Sequence, residues 1–163
     1  MATSSDDVAW LLGVMRELGA EPIVAGGWGV DALWRNASRV HRDLDVLVQS
    51  DLVELITNRL LGEGFAVTTD WLPVRIELSD VDLDRHVDLH PVVDDGRGGW
   101  WQHGLDDTRF EYPAEALTDG QIGDTSVRCL TASKQRDLHA EYEPRAEDLH
   151  DLGLLNALMS TGH

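Results

Sequence analysis

Two short apolar runs, each tied to a pair of small or acidic residues, constrain this chain more than any other feature. Pro22-Ile23-Val24-Ala25 leads directly into Gly26-Gly27, and Asp43-Leu44-Asp45-Val46-Leu47-Val48 opens with two aspartates one residue apart. Apolar runs this short, bounded by turn formers, read as buried strands. Residues i and i+2 of a strand share a face, so Asp43 and Asp45 project side by side while Leu44 turns to the other side. Two carboxylates held that close repel unless a cation lies between them. Mg2+ suits the pair, because it takes oxygen ligands and often binds through one or two carboxylates plus substrate phosphates. The glycine pair, lacking Cβ atoms, lets the backbone approach phosphate oxygens closely.

Around these runs the periodicity predicts alternating helices and strands. Ser4 or Ser5 caps a helix that carries Asp6 and Asp7 in its first turn and Val8, Leu11, Leu12, Met15 and Leu18 on one face. A short helix is expected from Val30 to Trp34 after the glycine turn, and another, capped by Ser50, to Gly62 or Gly64. Further strands are expected at Phe65–Thr69, Val74–Leu78, His86–Val93 and Ser126–Leu130. Residues 94–107 read as a Gly- and Asp-rich loop in which Trp100-Trp101 either forms a stacking wall for a ligand or packs onto the core. Tyr112-Pro113, Gly120 and Gly123 mark turns. A helix from Thr131 or Ser133 to about Tyr142 precedes Pro144, and a last amphipathic helix spans Arg145 to Met159 with Leu149, Leu152, Leu155 and Leu158.

With 163 residues, 42% of them apolar, the chain can bury one domain-sized core. The expected organisation is a catalytic core over 1–130 and a C-terminal helical segment over 131–163, together one compact unit. The net charge of −17, from 30 acids against 13 bases, makes nucleic acid a poor partner, since phosphate binding needs clustered Lys and Arg. A cationic small molecule or a metal–nucleotide complex fits the sign; solubility or salt adaptation explains the charge equally well. The single cysteine, Cys129, excludes an internal disulfide and reads as a small buried hydrophobe. The N-terminus lacks the basic start and apolar core of a signal peptide, and no apolar run approaches a membrane span, so a cytoplasmic protein with no membrane partner is expected.

A third acid, Asp88, lies in the apolar segment Arg85-His86-Val87-Asp88-Leu89-His90-Pro91-Val92. If that strand lies beside the Asp43 strand, Asp88 reaches the same ion or sits just behind it. Such a triad binds a metal–triphosphate, and one member can serve as general base on an attacking hydroxyl. A second repeat, Asp80-Val81-Asp82-Leu83-Asp84, sits between two strands and reads as a solvated turn. The specific signal is the order of parts: strand, Gly-Gly, short helix, Asp-x-Asp on a strand, then a later strand aspartate.

Gly26-Gly27-Trp28-Gly29-Val30-Asp31-Ala32-Leu33, followed by Arg39-Val40-His41-Arg42-Asp43-Leu44-Asp45, resembles the minimal antibiotic nucleotidyltransferases of the DNA polymerase β superfamily, in the aminoglycoside 2''-nucleotidyltransferase and lincosamide nucleotidyltransferase group. Tyr142-Glu143-Pro144-Arg145-Ala146-Glu147-Asp148-Leu149-His150-Asp151-Leu152 is similar to the segment opening those proteins' last helix. The resemblance implies an α/β (α+β) nucleotidyltransferase fold: a short twisted mixed sheet flanked by helices, with a small C-terminal helical segment. It implies transfer of a nucleoside monophosphate from an Mg2+-bound nucleoside triphosphate to a substrate hydroxyl, with release of pyrophosphate. Asp43 and Asp45 would be metal ligands, Asp88 the third carboxylate as base, ligand or both, and Gly26 and Gly27 would meet the triphosphate. One or two Mg2+ ions and a nucleoside triphosphate such as ATP are the implied cofactor and co-substrate. The acceptor would be a small antibiotic, and −17 favours a polycationic aminoglycoside over a singly charged lincosamide.

Other residues carry competing readings. His41 either contributes to the site or anchors its loop by a hydrogen bond. Arg39 or Arg42 touches phosphate or pairs with a surface acid. Lys134, the only lysine, reaches the triphosphate or lies solvated on a helix. Glu141, Glu143 and Asp148 bind amino groups of a cationic antibiotic or simply decorate a helix face. A chain this short has no large second domain, so the acceptor site is open or completed by a second subunit, as in a homodimer. The rival functions are a toxin-type nucleotidyltransferase acting on tRNA or protein, disfavoured by the missing basic face, and a non-catalytic nucleotide-binding module of the same fold, disfavoured by the intact acids.

Overall fold

The computed structural model describes residues 2–139 and 145–161. Helix α1 (Ser5–Glu17) begins as its sequence predicts: the Asp7 N–H donates to Ser4 Oγ at 3.1 Å, and the Ser4 N–H donates to Asp7 Oδ2 at 2.9 Å. Strand β1 (Ile23–Ala25) then runs without a break into helix α2 (Gly26–Trp34). The glycine pair is thus the first turn of α2 rather than a turn ahead of a helix starting at Val30. It can serve so because Gly26 adopts φ +58°, which redirects the chain from strand to helix within one residue. Strand β2 (Leu44–Gln49) follows, then helix α3 (Val53–Gly62), entered through a single 3-10 turn at Ser50–Leu52. Ser50 therefore lies a turn ahead of α3, whose start has no side-chain cap.

Four strands follow: β3 (Ala66–Trp71), β4 (Arg75–Asp80), β5 (Arg85–Asp94) and β6 (Trp100–His103). After them come β7 (Arg109–Tyr112), β8 (Leu117–Ile122) and β9 (Thr125–Leu130), then helices α4 (Ala132–His139) and α5 (Ala146–Ser160). The tryptophan pair lies on β6, not in a loop. The Gly- and Asp-rich stretches on either side of it are the turns of a β-ribbon, with Trp100–His103 pairing against Arg109–Tyr112. Residues 81–84 form the β4–β5 turn, whereas Asp80, expected in a solvated turn, ends β4 and is buried against Arg85 at 2.5 Å; Gly120 sits inside β8, where a Cβ would meet the Ala32 carbonyl oxygen at 2.8 Å. The expected helix end near Tyr142, and Glu141, Glu143 and Pro144 themselves, lie outside the described residues.

The strands form one mixed sheet in the order β3-β4-β5-β2-β1-β9-β8, with β6 and β7 added beside β5. Strand β2 runs antiparallel to β1 and parallel to β5. One face is covered by α1, α2 and α3, where Val8, Leu11, Leu12, Ala32, Ile56 and Leu60 pack on Val24, Leu44, Val46, Val87 and Leu89. The buried apolar surface there supplies most of the fold's driving force. Cys129 lies in this layer, and burial pushes its thiol up to about 12. The opposite face is only partly covered. Ile23, Ala25, Leu47, Val92 and Leu130 line it, with Tyr112 from β7 and Leu138 from α4 packed above. Helices α4 and α5 join the body through Val30 of α2, which is buried against Ala132, Leu155 and Leu158. Leu149 of α5 is exposed instead. Among the described residues, no helix is long and apolar enough to cross a membrane.

Candidate active site

The half-covered face is where the acids emerge. Leu44 points into the helical layer, so Asp43 and Asp45 turn toward the open face. Strand β5 lies parallel to β2 with Asp88 directly opposite Asp45, as the sequence expectation required. Strand β4 adds Glu77 opposite Asp88. Arg75, two residues before Glu77, donates to Asp88 Oδ2 at 2.5 Å and lies 4.6 Å from the centre of the Trp71 ring.

The burial of these carboxylates governs their chemistry. Burial pushes Asp88 up to about 6; the neighbouring Asp45 adds to this, while the charges of His90 and Arg75 oppose it. Asp43 is likewise raised by burial first and then by repulsion from Asp45. Asp88 Oδ1 is buried without a hydrogen-bond partner. A divalent cation would relieve both the crowding and the orphaned oxygen, so the donors present fit Mg2+. Ligand atoms of Asp45, Asp88 and His90 all lie within 4.8 Å of one another. Asp43 stands outside that cluster, with Arg42 Nη2 at 3.8 Å from its Oδ2.

His90 is a residue the sequence reading passed over. It follows Asp88 by two positions, and strand alternation alone puts the two on one face. Its Nε2 lies 3.2 Å from Asp45 Oδ1 and 3.7 Å from Asp88 Oδ2. Burial works against a charged His90 ring, but the hydrogen bond and charge of Asp45, with the charge of Asp88, raise its pKa overall. Arg75, Gln102 and Asp151 were also missed. They come from distant segments, and no local spacing marks them.

The glycine pair fits beneath these side chains. A Cβ on Gly26 would collide with the Asp45 carboxylate, and one on Gly27 would lie 2.5 Å from both Arg39 Nη2 and His41 Nδ1. His41 anchors its loop: its Nε2 meets Asp31 Oδ2 at 2.6 Å, with both side chains buried, and its ring lies 4.5 Å from that of Trp28. Arg39 makes a two-pronged contact to Asp151 at 3.0 and 2.9 Å, which ties the loop to α5. Burial raises the Asp151 carboxyl, yet the hydrogen bonds of His139 and Arg39 hold it below its usual value. Asp148 is spent on the start of α5, accepting from the Arg145 backbone N–H at 2.9 Å.

Two cavities meet at Gly26 and Asp45. One is polar and is lined by Gly27, Arg39, Arg42, Arg75 and Asp88 among others. The second, of about 370 Å3, is lined largely by Ala25, Leu47, Phe110, Tyr112, Leu130 and Leu138, with His90 and Gln102 at its polar edge. Lys134 lines neither; its Nζ lies 5.2 Å from the centre of the Tyr112 ring. Trp100 packs on the apolar layer, and Trp101 carries the Arg109 guanidinium 3.7 Å from its ring, so the tryptophan pair forms no wall of either cavity.

This fold, with strand carboxylates facing a glycine-started helix, is that of the nucleotidyltransferases, and the chain is an enzyme of that class. Residues 7–155 match the sequence model of the aminoglycoside-2''-adenylyltransferase family, and the chain belongs to that family. It is similar to the lincosamide resistance protein of Staphylococcus haemolyticus, 24% identical over 133 residues that make up 82% of each chain. Among solved structures it resembles the lincosamide antibiotic adenylyltransferase LnuA in its lincomycin-bound form, with a TM-score of 0.87 and 21% identity over 97% of this chain and 99% of that one. It also resembles ANT(2'')-Ia in complex with adenylyl-2''-tobramycin, with a TM-score of 0.73 and 17% identity over 97% and 89% of the two chains.

Proposed function

We propose that this enzyme transfers a nucleoside monophosphate from a nucleoside triphosphate to a hydroxyl of an amphiphilic antibiotic of the lincosamide kind. The observation that carries the acceptor assignment is the apolar cavity that opens onto Asp45 and His90. A pocket lined this way gains affinity by burying apolar surface. It offers few partners for the many ammonium groups of an aminoglycoside, each costly to desolvate unpaired. The net charge of −17 alone favoured an aminoglycoside, but charge spread over a surface acts at long range and does not shape a pocket.

The arginines favour the other side for the triphosphate. Arg39, Arg42 and Arg75 border the polar cavity, where the Gly26 and Gly27 backbone also faces. Asp43, Asp45 and Asp88 would hold Mg2+, which when bound supplies charge neutralisation at the phosphates. The acceptor hydroxyl oxygen attacks the α-phosphorus, its bond to the bridging oxygen of pyrophosphate breaks, and pyrophosphate leaves. Asp88 is the group assigned to take the hydroxyl proton, because burial raises its carboxyl to about 6 and it lies directly opposite Asp45, where the two cavities meet. Attack is favoured when both substrates are held in line, and two cavities meeting at one carboxylate suit that arrangement.

A second reading has its own support. Glu77, Glu147 and Asp151 also line the polar cavity, so a polycation could enter there while the nucleobase occupies the apolar one. Incubation with labelled ATP, Mg2+ and a panel of lincosamides and aminoglycosides decides between them. Label on a lincosamide supports the first reading, label on an aminoglycoside alone supports the second, and no label on either class refutes both.

A further inference from the structure

A chain of hydrogen bonds runs from the apolar cavity to Asp45, and its directions can be deduced. The Val74 carbonyl can only accept, so the Gln102 side-chain nitrogen is the atom that faces it, at 3.3 Å. The same NH2 group reaches His90 Nδ1 at 3.1 Å, and that nitrogen must therefore be an acceptor. The Gln102 oxygen is left facing Tyr112, whose hydroxyl donates to it at 2.7 Å. With Nδ1 accepting, the ring proton sits on Nε2, which points at Asp45 Oδ1 at 3.2 Å. Tyr112 and Gln102 are buried, at 3% and 5% exposure, and hold the chain rigid from behind. On its far side the Asp45 carboxylate rests against Gly26.

We infer that Tyr112, Gln102 and His90 form a positioning chain that fixes the Asp45 carboxylate for cation binding, and that His90 serves Asp45 as a hydrogen-bond donor rather than the cation as a ligand. The inference rests on the reading of Asp45 as a metal ligand. It gives His90 a role that proximity alone would mistake for ligation, since a ring nitrogen carrying a proton has no lone pair to offer. Orienting groups behind a metal ligand typically matter by about 10- to 100-fold in affinity or turnover. The chain also links the two substrates: whatever fills the apolar cavity touches the residues that hold Asp45.

The test combines long-range 1H–15N NMR of the His90 ring in the metal-free protein with Mn2+ binding and pulsed EPR. The expected ring carries its proton on Nε2, and the bound Mn2+ shows no directly coordinated nitrogen. His90→Ala and Gln102→Ala should each weaken Mn2+ binding by about 10-fold or more. His90→Gln keeps an N–H donor and should restore most of that loss. Tyr112→Phe removes one hydroxyl while keeping the ring, and should give a smaller loss in the same direction. A nitrogen bonded to Mn2+, an Nδ1-protonated ring, or His90→Gln binding Mn2+ no better than His90→Ala overturns the inference. None of these measurements uses an antibiotic, so absence of label transfer beside intact Mn2+ binding would sink the proposed function and leave this chain standing.

Discussion

Replacing Gly26 by alanine isolates how closely the strand-to-helix junction is fitted to the acid it faces. Two separate penalties apply. Gly26 has φ +58°, where a Cβ costs about 1–2 kcal/mol. That Cβ would also lie 3.0 Å from Asp45 Cβ and Cγ and nearer still to Oδ2. Carbon contacts are comfortable at about 3.5–4.0 Å, so the Asp45 side chain must retreat by about 0.5–1 Å. A misplacement of about 1 Å in a reacting centre can cost about 100-fold in rate. The backbone term alone lowers Tm by about 2–8 °C for a chain of this size. Gly123 supplies the control: its φ is +57°, but a Cβ there meets nothing within 4 Å, and it lies in the β8–β9 turn. Gly123→Ala should therefore show the same fall in Tm with unchanged turnover, while Gly26→Ala loses about 100-fold in kcat. Pyrophosphate release at saturating substrates and thermal melts read the two effects. If Gly26→Ala keeps kcat within about twofold of wild type while Tm falls as in the control, the argument that Asp45 is pinned between Gly26 and His90 is wrong.

Other consequences are as direct. Asp31→Ala strands the buried His41 ring, and denaturant melts should show a loss of about 3 kcal/mol, as for other broken buried pairs. The hydrogen bond from Arg85 holds the Asp80 carboxyl below its usual value, so its stabilisation is full above the unfolded carboxyl value of about 3.9 and disappears as pH falls through the lower folded one. The gap in denaturation midpoint between wild type and Asp80→Asn should accordingly hold steady from about pH 5 to 8 and close in stronger acid. Cys129, with its thiol pushed up to about 12 and no exposure, should resist a thiol reagent at pH 8 in the native protein and react at once in guanidinium. Chelation of divalent ions should abolish label transfer and Mg2+ should restore it; transfer that persists in excess chelator refutes the metal reading of Asp43, Asp45 and Asp88.

The local readings that held rest on short-range physics. Alternation about Leu44 put Asp43 and Asp45 on one face, and Asp88 met Asp45 because both lie on parallel neighbouring strands. The cap at Ser4 and the turn over residues 81–84 also followed from residues within a few positions of one another, though Asp80 is buried against Arg85 rather than solvated. Misreadings arose where the partner lay far along the chain. The Trp100-Trp101 segment looked like a loop because its pairing strand comes after another turn, and only the ribbon with Arg109–Tyr112 makes it a strand. Ser50 has the composition of a cap, but α3 begins after a further turn. Arg39 meets Asp151 of α5, the ion-pair alternative open to it, while it still borders the polar cavity.

The sequence alone carried the acid pair and glycine turn of a metal–triphosphate site, which depend only on backbone period and the absence of a Cβ, and the order of those parts carried the resemblance that implied the catalytic class. Tertiary structure decided what surrounds those acids. It placed an apolar cavity beside Asp45, set Arg75 against Asp88, and strung Tyr112, Gln102 and His90 into one chain. These residues are distant in sequence and meet only because β4, β5, β6 and β7 assemble in one sheet, a long-range pairing that no local pattern encodes.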